Sequence, residues 1–120
     1  MREKPAILCF DYEPVILKTV ALILGVAGYD VLTAGDSEDA LLKLAGRRVD
    51  LVLLEAVPEA KLLAERARSV APNVAMLLCT GKAGEINAPW ADMILYKPVP
   101  PPELLRGISG LLKQKHKDAA

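Results

Sequence analysis

Two periodicities of apolar and polar positions alternate along the chain, and the alternation repeats five times. Ala6-Ile7-Leu8-Cys9-Phe10, Tyr29 to Ala34, Asp50 to Leu54, Val74 to Cys79 and Ala91 to Tyr96 are short apolar runs that read as strands. The third, followed by Glu55, has the unbroken apolar character of a strand covered on both faces. The first helix is read as Val15 to Ala27, opened by Pro14 and closed by Gly28. Ser37 is read as the N-cap of the second helix, which Gly46 ends. Pro58 to Val70 carries Leu62, Leu63, Ala67 and Val70 at helical spacing, and Ala71-Pro72-Asn73 stops it. Gly81 to Pro89 contains two glycines and a proline and has room for one turn of helix at most. Pro102-Glu103 opens the last helix, whose inward positions are Leu104, Leu105, Ile108, Leu111 and Leu112. The pattern predicts one domain over 1–113 and a basic, disordered tail over 114–120.

Five strand-helix units of this length imply a parallel sheet with helices on both faces and right-handed crossovers. Ligands of such sheets bind at the carboxyl ends of the strands. There the pattern delivers Asp11, Glu55, Thr80 and Lys97 from strands one, three, four and five. Two carboxylates, a hydroxyl and an ammonium in one cluster suit a phosphoryl group, with acids for a divalent metal and the other two groups for phosphate oxygens. A bland alternative is that Lys97 only neutralises two acids that would otherwise repel each other, and that Asp11 caps the first helix.

Composition narrows the partners. Fifteen basic residues balance fifteen acidic ones in 120 residues, so no overall field directs the chain toward nucleic acid or an anionic membrane. No apolar stretch is long enough to cross a bilayer and the first residues lack a secretory pattern, so a cytoplasmic protein is expected. Cys9 and Cys79 fall inside apolar strands, match no metal or redox spacing, and read as small hydrophobes. His116 is read as solvated and Trp90 as a cap over the sheet edge.

Four blocks in order, Ile-Leu-Cys-Phe-Asp-Tyr-Glu-Pro, Asp-Leu-Val-Leu-Leu-Glu, Leu-Cys-Thr-Gly and Tyr-Lys-Pro-Val, resemble the signature segments of bacterial response-regulator receiver domains. The likeness runs from about Lys4 to Leu112, and Gly-Tyr-Asp-Val and Ser-Glu-Asp-Ala-Leu also fit it. It implies a flavodoxin-like doubly wound sheet of order 2-1-3-4-5. It also implies a role in two-component signalling, with a histidine kinase or an output domain as partner.

The departures from the family pattern are chemical. The family's phosphoacceptor aspartate is replaced by Glu55, whose carboxylate sits one methylene further out. Misplacement of a reacting group by an ångström costs on the order of 10²-fold. One of the two Mg²⁺-binding acids is replaced by Tyr12, a poor ligand for a hard cation. Weak or absent Mg²⁺ binding is therefore expected, and no residues are assigned as a metal site. The segment between Thr80 and Lys97 is short by roughly one helical turn, so the family's fourth helix should be shortened or missing. Ile94 stands where an aromatic switch residue is expected, and Tyr96 lies next to Lys97.

These departures point to a pseudo-receiver, a non-enzymatic interaction module with Asp11, Tyr12, Thr80 and Lys97 as a vestigial phosphate pocket. Glu55 either imitates the acylphosphate by reaching toward Lys97 or is a tolerated side chain. Two alternatives stand beside this reading: a receiver that still takes phosphate from a histidine kinase, and a small-ligand module with a reshaped pocket. The first helix adds an interface. If Ile16, Val20, Ile23 and Leu24 face the sheet, Leu17, Ala21, Leu22, Gly25 and Val26 lie outside with Lys18 the only charge. That face is predicted to support a homodimer or a partner contact.

Overall fold

The first strand, β1 (Ala6–Phe10), lies inside a parallel sheet with β2 (Asp30–Ala34) on one side and β3 (Leu51–Glu55) on the other. Beyond β3 follow β4 (Ala75–Thr80) and β5 (Met93–Tyr96), completing the order β2-β1-β3-β4-β5. The helices are α1 (Pro14–Val26), α2 (Ser37–Gly46), α3 (Ala60–Val70) and α4 (Pro101–Ala119). These elements come from a computed structural model that describes residues 4–81 and 86–119, with side chains described through 117. Strand order and parallel pairing agree with the doubly wound expectation.

Side-chain alternation builds two cores, one on each face of the sheet. Leu51 and Leu53 of β3 join Ile7, Cys9, Leu77, Leu24 of α1 and Ile108 of α4. Val52 and Leu54 point the other way and join Leu8, Phe10, Met76, Leu78, Leu44 of α2 and Leu63 of α3. Every residue of β1 is buried, which explains why its sequence is an unbroken apolar run rather than an alternating one.

Two aspartates fasten strand starts. Asp50 accepts the Ala6 backbone N–H at 2.8 Å through Oδ2, tying β3 to β1 at the edge opposite the candidate site. Asp92 accepts the Met76 N–H at 2.7 Å, pairs with Arg68 of α3 at 2.8 Å and receives Lys115 of α4 at 3.2 Å.

Several local expectations are corrected. The last helix runs on through Ala119 instead of ending in a disordered tail. Lys115 is held by Asp92, and its carbonyl accepts the Asn73 side-chain amide at 3.1 Å, so the basic segment has tertiary partners that its composition did not show. Asp36, not Ser37, caps α2, with its carboxylate accepting the Asp39 N–H at 2.8 Å. Trp90 packs against the α2–α3 core, and its carbonyl accepts from Arg68 at 2.6 Å. No helix lies between β4 and β5 among the described residues, in line with a shortened or missing fourth family helix. Part of the Gly81 to Pro89 expectation lies outside the described residues, at 82–85.

Candidate functional site

Strand order decides which sequence-distant groups meet. Because β1, β3, β4 and β5 are consecutive in the sheet and all parallel, Asp11, Glu55, Thr80 and Lys97 end on one edge. Asp11 follows β1, and its own N–H donates to the Ala34 carbonyl at 3.3 Å. Its Oδ1 accepts the Glu13 N–H at 3.0 Å, a two-residue turn that leads the chain into α1. The cap position itself is Glu13, which makes no side-chain capping bond. Asp11 thus shapes the approach to the helix without being its N-cap.

Glu55 and Lys97 form a hydrogen-bonded ion pair. Burial works to lower the Lys97 pKa, but the hydrogen bond and charge of Glu55, with Asp11 and Cys79 behind them, outweigh it and hold the ammonium above its ordinary value. The Lys97 backbone N–H donates to the Thr80 carbonyl at 2.7 Å, which continues the β4–β5 ladder to the lysine and fixes where its side chain starts.

Asp11, Glu55 and Lys97 line one cavity of about 570 Å³ between α1 and α4. Thr80 is fully buried, and neither it nor Tyr12 is among the lining residues. Tyr12 is 48% exposed and stacks edge-on against Phe10, with ring centroids 5.4 Å apart. Tyr12 therefore lies against Phe10 at the end of β1 and takes no part in lining the cavity.

The sequence reading missed the contribution of Cys9 and Cys79, which both line the cavity. Burial pushes the Cys9 thiol up to about 12 and the Cys79 thiol up to about 11, so both are protonated and apolar near neutral pH. Their placement inside strands showed burial, but only the register could show that they share a face with Leu53 and Glu55.

A divalent metal does not fit the donors. Among the described residues no three His, Cys, Asp or Glu side chains converge on one point. Glu55 is engaged by Lys97, and position 12 presents a stacked phenol where a second acid would be needed.

The outward side of α1 differs from the expectation in one respect. Leu17 packs against the α1–α4 core and Ala21 is half-buried, so neither is on an open face. Leu22 at 70%, Val15 at 74% and Val26 at 81% exposure make up the open apolar stripe, and Gly25 lies beside it. The buried face is wider than the sequence-based assignment, taking in Leu17 and Ala21 beside Ile16, Val20, Ile23 and Leu24.

The chain matches no protein-family model. It is 35% identical, over 97% of its length, to the transcriptional regulatory protein AruR of Pseudomonas aeruginosa, and it spans about half (53%) of that relative. Its fold is similar to a CheY-like receiver domain from Methanospirillum hungatei, at 28% identity with a TM-score of 0.88, covering 97% of this chain and 99% of that one. It is also similar to the signal receiver domain of an HD domain-containing protein from Pseudomonas fluorescens, at 31% identity and a TM-score of 0.85, covering 96% and 99% of the two chains. With the five-stranded topology and the ordered strand-end residues, these likenesses place the chain in the response-regulator receiver-domain family of two-component signalling.

Proposed function

We propose that this receiver domain signals through protein contacts without accepting phosphate. The observation that carries the reading is the Glu55–Lys97 ion pair. At the acceptor position it presents a carboxylate already occupied by the lysine that would otherwise be free for a phosphate oxygen. Tyr12, stacked on Phe10, supports the same reading because it supplies no carboxylate for Mg²⁺. Glu55 then imitates the charge of an acylphosphate, and the domain rests in one state rather than switching.

In this reading the domain is not an enzyme and works in the cytoplasm. Its partners are signalling proteins, either a histidine kinase or an output domain, with self-association through the Leu22 face of α1 as a further contact. No helix among the described residues is long and apolar enough to cross a membrane. AruR extends well beyond the segment matched here, so an attached output domain belongs to the same proposal.

Mass spectrometry after incubation with acetyl phosphate and Mg²⁺ tests the central claim. No added phosphate is expected. A Mg²⁺-dependent phosphate on Glu55 would overturn it and favour a working receiver. Glu55→Asp alone should not restore phosphorylation, whereas Glu55→Asp with Tyr12→Asp is the minimal rescue.

A further inference from the structure

The cavity beside Glu55 has a second property that phosphate chemistry does not use. α1 packs over β1 and β2 while α4 packs over β4 and β5, with little contact between the two helices. The cavity lies in the gap between the two helices, beside the carboxyl half of β3. Leu53 and Glu55 look into a trough whose walls are Val20 and Ile23 of α1, Leu104 of α4 and the Cys79 thiol. Its volume of about 570 Å³ falls within the range of small-molecule sites.

One end of this apolar trough is charged, and among the described residues the charges do not balance. Two carboxylates, Asp11 and Glu55, face one ammonium, Lys97, and Glu55 already engages it. Asp11 is only 8% exposed, and among the described residues it belongs to no ion pair. A carboxylate so placed gains from a cation that brings its own apolar body, because burial then removes apolar area from water and pairs the charge together. An anionic ligand meets the opposite situation, with two acids in front of it and the lysine taken. A neutral ligand fills the trough but leaves Asp11 as it was.

We propose that this cavity binds a small amphipathic ammonium: an apolar body against Leu53 and Cys79, carrying one protonated amine that pairs with Asp11. The site stands on the separation of α1 from α4 and on the charge count at its mouth. It does not depend on whether Glu55 accepts phosphate, so the two ideas fail separately.

Three probes of equal size separate the charge states: 4-phenylbutylammonium, 4-phenylbutanol and 4-phenylbutyrate, titrated into ¹⁵N-labelled protein and followed by NMR. The ammonium should shift the amides of Val20, Leu53 and Leu104 saturably and bind at least about tenfold more tightly than the carboxylate. Asp11→Asn should erase its advantage over the alcohol. Glu55→Gln, at a partly exposed position at the end of β3, reduces the described mouth to one acid and one base and should also lower the preference, which keeps the test valid if Asp11→Asn fails to fold. Val20→Phe should fill the trough and weaken all three probes. Equal or tighter binding of the carboxylate, shifts confined to another surface, or an unchanged preference in a folded charge variant would each overturn the proposal. Displacement of the ammonium by millimolar Mg²⁺ would overturn it too, by marking Asp11 as a metal ligand.

Discussion

Lys97, one residue beyond β5, reaches past the end of β4 to pair with Glu55 at the end of β3. Two strand ends, separated by β4, are thereby joined by one side-chain contact. The pair is partly solvated, so its direct worth is about 0–1 kcal/mol, and Glu55→Gln should cost no more than that in urea unfolding. Lys97→Met is a different perturbation, because it leaves Asp11 and Glu55 facing each other without a cation. Its cost should be larger at low salt than at high salt, which screens the repulsion. A cost independent of salt would mean that the lysine acts only by packing.

Alkaline pH should weaken the fold in a defined window. Cys9 is raised from 9.0 to about 12 and Cys79 from 9.0 to about 11, and Lys97 lies above its ordinary 10.5. Each is a raised group, so the folded state holds more protons than the unfolded one. The stability they contribute is complete below pH 9 and is lost as pH rises through the folded values. Melting temperature should be level from pH 6 to 8 and fall above 9. Replacing both thiols, with Cys9→Val and Cys79→Val, should flatten the first part of that fall. The same burial should make both thiols unreactive to iodoacetamide at pH 8 until denaturant is added.

Asp92 should matter more than any other acid outside the cavity. Its carboxylate serves the Met76 backbone N–H, Arg68 and Lys115 together. Asp92→Ala leaves the N–H of a fully buried residue without an acceptor, a cost of about 1–3 kcal/mol. Asp92→Asn keeps an acceptor and should recover part of the loss in urea unfolding.

The apolar stripe of α1 makes a prediction about association. Leu22→Lys with Val26→Glu removes apolar area at two open positions and should leave the circular dichroism and melting temperature close to wild type. If α1 mediates a dimer, sedimentation equilibrium should show the wild type associating and the variant monomeric. A wild type that stays monomeric at high concentration would remove the dimer from the proposed function. Leu17→Glu is unsuited to this test because Leu17 packs against the core.

Much of the molecule was written in local sequence. Apolar runs located all five strands, unbroken in the central β1 and β3, which are buried on both faces, and weaker in the half-buried edge strand β2. Pro14, Gly28 and the residues around Ser37 and Gly46 bounded the first two helices to within a residue or so, because helix ends are set by backbone chemistry that acts over a few positions. The strand-end residues Asp11, Glu55, Thr80 and Lys97 were legible for the same reason, and four matching blocks in order made the family visible.

What the tertiary structure decided was everything that depends on rotation about an element axis or on a partner far away in sequence. Leu17 and Leu22 are both leucines in a nearly uncharged helix, and only docking on the sheet turned one inward and the other out. Tyr12 could be counted as a lost acid, but its stacking on Phe10 required the fold. The tail became helix because Asp92 and Asn73, more than twenty and forty residues away, offered Lys115 its contacts. The cavity, with Cys9 and Cys79 in its wall, exists because α1 and α4 settle over opposite halves of the sheet. Periodicity names the face that an amphipathic segment buries, but where that face comes to rest is set by the packing of whole layers against each other.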